Sequence, residues 1–194
     1  MILSWCRNII AGWCFVISCV SKAEPCELTV SAASSLSRAF KEIATHFEHS
    51  HQCRVRLNFA ASGMLVQQMS HGAPADVLAT ADQQSMDRAA QLRLIDVASR
   101  QDFIANSLVL IAPAHSVITY AEQGGLKGPP AIVALNALTD QAIQYIAIGN
   151  PSSVPAGRYA RESLQQAGLW QVLSPRIVMA INVRQVLDLS LIHI

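Results

Sequence analysis

The chain has 194 residues, of which 52% are hydrophobic and 14% charged, with a formal net charge of +1 at pH 7. That length suits one domain or two small lobes with a real core, and the hydrophobicity excludes a disordered chain. The near-neutral balance excludes a nucleic-acid surface, which needs a basic stripe.

The N-terminal residues read as a targeting segment. Arg7 is followed by an apolar run, Ile9 to Val20, that is too short for a comfortable membrane span, and Ser21-Lys22-Ala23 places small residues before a cut after Ala23. Residues 1–23 are therefore expected to be a secretory signal peptide. A second reading takes Val16-Ile17-Ser18-Cys19 as a lipobox, with Cys19 as a lipid anchor. Both readings export the chain, and export changes how the remaining cysteines are read. Outside this segment stand Cys26 and Cys53, nine residues before Ser35 and Ser62 respectively. If those serines end neighbouring parallel strands at one level, the cysteines begin them at one level. The spacing then predicts a disulfide clamping the two strands; two unpaired thiols is the other reading.

The stretch Leu28 to Ser37 (LTVSAASSLS) opens as a β-branched strand and collapses into small residues and hydroxyls at Ser34, Ser35 and Ser37. Leu36, Ala39, Phe40, Ile43, Ala44 and Phe47 then recur at helical spacing. Arg54 to Phe59 alternates as a second strand, ends in Ala60-Ala61-Ser62-Gly63, and gives way to a helical pattern that His71-Gly72-Ala73-Pro74 breaks. Ala75 to Thr80 predicts a third strand, and Asp82 an N-cap for a helix through about Leu92. This β-α-β-α-β order implies a parallel sheet with ligand sites at the strand C-termini. Asn106 to Ala112 predicts a further strand, stopped by Pro113. His115 to Gln144 is poorly legible, with an apolar helix possible between Ile132 and Ala142. Tyr145 to Ile148 and Ile177 to Ile181 predict two more strands. Each runs through small residues into a helix, the first closed by Gly168 and the second capped by Asn182. The last six residues, 189–194, neither cap that helix nor start a strand, so the chain reads as cut off in mid-element.

Four strand-to-helix corners thus recur. A helix N-terminus carries unpaired N–H groups and the positive end of the helix dipole, so a strand ending in serines at such a terminus suits an anion. Serine is also a common N-cap, which is the plain alternative at Ser35 and Ser62. Arg38, Arg158 and Arg184 lie beyond the corners, in the helices. A dianion would accordingly be held by neutral donors.

The pieces LTVSAASSL, NFAASGMLVQQMSHGAPADV, ATADQQSMDRA, NSLVLIAP, GNPSSVPAGRYARESLQQAGLW and LSPRI…NVRQVL resemble, in order and spacing, the periplasmic molybdate-binding proteins of ABC transporters, the ModA family. The resemblance runs from about Leu28 to about Leu187 and lapses between about His115 and Gln144. It implies an α/β, two-lobed periplasmic-binding-protein-like fold with parallel-rich sheets flanked by helices, the last part of the fold missing. Lobe 1 would take residues 24–105, lobe 2 residues 106–188, and 189–194 would be an aberrant tail. It also implies a monomeric periplasmic protein, without a cofactor, that captures molybdate or tungstate and hands it to a membrane permease. Ser35 and Ser62 would contribute hydroxyl and backbone donors, and Ala156 and Val183 backbone N–H groups. The family's ligand tyrosine and its segment returning to the first lobe lie past the last residue, so weak or absent binding is expected of these 194 residues alone.

Other readings fare worse. Another oxyanion such as sulfate is the nearest alternative, and a secreted serine-dependent enzyme is the alternative from a different class. No G-x-S-x-G elbow and no G-x4-G-K-[ST] loop occurs. His46, His49, His51 and Cys53 invite a zinc reading, but their spacing crosses a helix end without a second cluster. Asp76 and Asp82 read as a strand end and a helix cap, and Trp170 as surface packing.

Overall fold

The computed structural model describes residues 26–112 and 135–191. The signal segment with Cys19, residues 113–134 and residues 192–194 lie outside the described residues. So does the first part of the expected Ile132–Ala142 helix; residues 135–137 form a helical turn.

The first half is a parallel sheet of order β2-β1-β3, from β1 (Glu27–Ala33), β2 (Arg54–Ala60) and β3 (Val77–Ala79). A 3-10 turn at Ser34–Leu36 leads from β1 into α1 (Ser37–His51), and α2 (Ser62–Ser70) and α3 (Gln83–Gln91) follow β2 and β3. The β1–β2 ladder pairs Glu27 with Arg54 at one end and Ala33 with Ala60 at the other. Cys26 and Cys53, just before the opening pair, are joined in a disulfide with their Cα atoms 4.5 Å apart. The Asp76 carboxylate accepts the Thr29 N–H at 2.7 Å, and Asp76 returns its own N–H to the Thr29 carbonyl, which aligns β3 on β1. Val30, Ala32 and Ala79 form the buried centre, with Leu36, Phe40, Val55, Leu57 and Phe59 packed against it. Along α1 only Ala44 is buried, while Ile43 is 58% exposed, so the apolar stripe read along this helix is covered only in part.

The second half has a parallel pair, β4 (Ile146–Gly149) and β5 (Ile177–Ala180). Helix α4 (Pro155–Gln166) follows β4, short α5 (Trp170–Leu173) follows α4, and α6 (Val183–Leu191) follows β5. Its own core gathers Leu138, Ile146, Ile148, Leu164 and Leu173, with Trp170 packed at the margin under the Arg161 guanidinium. One glycine permits the corner after β4 and another ends the helix that follows. A Cβ on Gly157 would lie 1.8 Å from the Gly149 carbonyl oxygen, so α4 can sit this close to β4 only without a side chain there. Gly168 closes the helix with φ of +71°.

Two stretches differ from the sequence reading. Asn106 to Ala112 does not form a strand. Leu110 packs against the second core, yet Leu108, Val109 and Ile111 stay 48%, 71% and 46% exposed. An apolar run makes a strand only when a neighbour takes up its N–H and C=O groups, and no described strand lies in register with it. Helix α6 continues through Leu189, Ser190 and Leu191, where the sequence suggested a tail.

Candidate functional site

The two halves meet around one cavity of about 1320 Å³, whose wall includes Ser35, Ser62, Ala156 and Val183. All four candidate residues therefore face one space, although they come from four different corners. Ala156 and Val183 lie in the first turns of α4 and α6, where backbone N–H groups have no acceptor within the helix.

The serines do not act as caps. Ala33 stands at the cap position of the 3-10 turn and Ala61 at that of α2, and neither start has a side-chain cap hydrogen bond. Ser62 is the first residue of α2 and is fully buried. Its Oγ accepts the Ala81 N–H at 2.9 Å, which leaves the hydroxyl proton to be donated elsewhere. Ser35 is exposed on the cavity wall, next to the buried Ser34. Two caps read from the sequence are present. Asp82 Oδ1 accepts the Ser85 N–H at 3.3 Å, and Asn182 Oδ1 accepts the Gln185 N–H at 2.9 Å.

The corners touch in pairs. The Gly63 N–H donates to the Ser153 carbonyl at 3.2 Å, joining the start of α2 to the loop before α4. A Cβ on Gly63 would come within 2.9 Å of that same oxygen. Close by, Arg158 of α4 forms an ion pair with Asp82, whose side chain is 1% exposed. On the other side, Arg184 Nη2 approaches Ser37 Oγ at 3.4 Å, linking α6 to α1.

Three features escaped the sequence, two of them on this wall. Arg184 lines the cavity, so the wall includes a cation and is not purely neutral; its place one residue after Val183 was the available signal. Tyr159 also lines it, one helical turn into α4. Partial desolvation and the nearby Asp82 carboxylate raise the Tyr159 phenol above its ordinary value, opposed by Arg158. The third is the Arg158–Asp82 bridge, between residues 76 apart in sequence. No carboxylate side chain lines the cavity among the described residues.

The histidines near Cys53 are engaged locally. A ring nitrogen of His49 lies 2.7 Å from the Thr45 carbonyl, His51 stacks on Phe47, and Cys53 is in the disulfide. No group of three or more His, Cys, Asp or Glu side chains could hold a metal ion among the described residues. Among them, too, no helix is long and apolar enough to cross a membrane.

Comparison with known proteins agrees with this architecture. The family described as bacterial extracellular solute-binding protein matches residues 28–191. The molybdate-binding protein ModA of Escherichia coli is 38% identical over 184 residues, covering 94% of this chain and 68% of the relative. The ModA protein of Haemophilus influenzae is 33% identical, covering 93% and 66%. Among solved structures, the periplasmic molybdate-binding protein of Azotobacter vinelandii superposes with a TM-score of 0.59 over 84% of this chain and 66% of its own, at 23% identity, a likeness of fold. The chain thus spans about two thirds of the length of these relatives.

Proposed function

This chain belongs to the ModA family of bacterial extracellular solute-binding proteins, and from that premise we propose that it captures molybdate outside the cytoplasm and delivers it to the membrane permease of an ABC transporter. Tungstate, of the same charge and shape, is taken comparably. The protein works as a monomeric binder, carries no cofactor, and reaches the periplasm by its signal peptide.

The observation that carries this reading is the buried Ser62 hydroxyl. It sits at an uncapped helix start and already accepts the Ala81 N–H, so its proton is free for an anion in the cavity. Ser35, Ala156 and Val183 supply the other donors. Each hydrogen bond to a charged partner contributes roughly 1.5–3 kcal/mol, and the dipoles of the helices share the charge. Arg184 on the wall adds a positive charge.

The donor set also selects. Hydrogen phosphate carries a proton that seeks a strong acceptor, and no carboxylate among the described residues of the wall offers one. Molybdate and tungstate are unprotonated dianions at neutral pH and need only donors. Sulfate shares that property and is set apart by size.

Thermal unfolding of the full protein with molybdate, tungstate, sulfate or phosphate tests the proposal. A ligand at 100 times its Kd stabilises the folded state by about 2.7 kcal/mol. Molybdate and tungstate are expected to raise Tm, and phosphate to leave it unchanged. No rise with millimolar molybdate removes the proposed ligand; a larger rise with sulfate reassigns it.

A further inference from the structure

Asp82 is a buried carboxylate with two separate duties. Its Oδ1 caps α3 through the Ser85 N–H, and its other oxygen meets the Arg158 guanidinium arriving from α4. Asp82 directly follows Ala81, whose N–H holds the Ser62 hydroxyl oxygen. Arg158 sits two residues after Ala156 on α4. One ion pair therefore ties the segment that orients the Ser62 hydroxyl to the helix that carries the Ala156 amide. The Gly63–Ser153 hydrogen bond closes the same edge.

We propose that Arg158 is a positioning residue for anion capture: by bridging to Asp82 it holds the Ser62 and Ala156 donors around one anion, and so sets the lifetime of the complex. The inference rests on the anion-binding reading of the cavity. The bridge forms only when the two corners are together, so it stabilises the closed arrangement over an open one, and a ligand held by both corners leaves only when it breaks. Its loss is accordingly read in koff, since encounter with the anion does not require a formed bridge.

The test measures molybdate association and dissociation on the full protein by stopped flow, for wild type, Asp82→Asn, Arg158→Gln, Arg158→Lys and the double variant Asp82→Asn/Arg158→Gln. Asparagine caps a helix about as well as aspartate, so Asp82→Asn removes the charge and keeps the cap. Each neutral single variant is expected to raise koff about tenfold and change kon by less than about twofold. The double variant should match the worse single, and Arg158→Lys should recover part of the loss. Unchanged koff in Arg158→Gln, or losses that add in the double variant, overturns the proposal.

A second measurement does not depend on the ligand. The distance distribution between spin labels on α1 and α5 is expected to broaden toward longer values in Arg158→Gln; an unchanged distribution overturns the latch. If wild type binds no molybdate, the functional reading fails while this distance still decides the latch.

Discussion

Ser35 and Ser62 occupy equivalent places beyond the β1–β2 ladder, each two residues past the Ala33–Ala60 pair that closes it. The same register puts Cys26 and Cys53 one residue before the pair that opens it. Two parallel strands in one register thus carry a covalent clamp at one end and two candidate donors at the other, more than about 20 Å away at the usual strand rise.

The two serines should respond differently to truncation. Ser62→Ala removes a donor and also strips the Ala81 N–H of its acceptor, so it is expected to weaken molybdate binding roughly 10- to 150-fold and to lower stability by about 1 kcal/mol. Ser35→Ala, at an exposed position, should weaken binding over the same range and leave unfolding within about 0.5 kcal/mol of wild type. Calorimetric titration and urea unfolding of both variants check this.

Replacing both cysteines should cost stability without touching the ligand. The bridge spans a sequence separation of 27, and loop-closure entropy for that length corresponds to about 3.5 kcal/mol. Cys26→Ala/Cys53→Ala is expected to unfold at lower urea by that amount, with molybdate affinity within about twofold, because the clamp lies at the far end of the ladder. Thiol titration of the denatured, unreduced protein should detect neither cysteine.

Gly157→Ala tests the corner after β4. The added Cβ would stand 1.8 Å from the Gly149 carbonyl oxygen, so strand and helix must separate. The expected cost is about 3 kcal/mol or more, with affinity lost as the Ala156 amide moves. Gly72→Ala, where the added Cβ meets nothing within 4 Å and only φ of +90° is unfavourable, should cost about 1 kcal/mol. Urea midpoints of the two variants give the comparison.

The raised Tyr159 phenol predicts an alkaline loss of stability. Its folded value lies above the ordinary 10.0, because partial desolvation and Asp82 disfavour the phenolate. Between the unfolded and folded values the unfolded chain binds fewer protons, so stability falls as pH rises through that window and is intact below it. Tyr159→Phe should remove this part of the decline. Urea midpoints of both proteins from pH 8 to 11 show it as a difference that grows above about pH 10.

The elements most legible in the sequence are those specified by local pattern. Alternation in Arg54–Phe59 marked β2, Asp82 and Asn182 marked two helix starts, and the matching distances from cysteine to serine anticipated the β1–β2 register. Asn106–Ala112 was misread because strand formation depends on a neighbour, and no local pattern reports whether one is present. Capping stays open as an alternative for the serines because sequence alone does not distinguish a cap from the first helical residue, the place Ser62 takes. Arg158–Asp82 and the placement of Arg184 were out of reach, since each joins or faces segments distant in sequence.

Equilibrium titration of the full protein with molybdate, beside its Ser35→Ala/Ser62→Ala variant, shows whether the two serines hold the anion. Wild type is expected to bind one molybdate per chain, with tungstate competing for the same site, and the double variant to lose at least about a hundredfold in affinity. Unchanged molybdate affinity in the double variant would contradict that role for the serines.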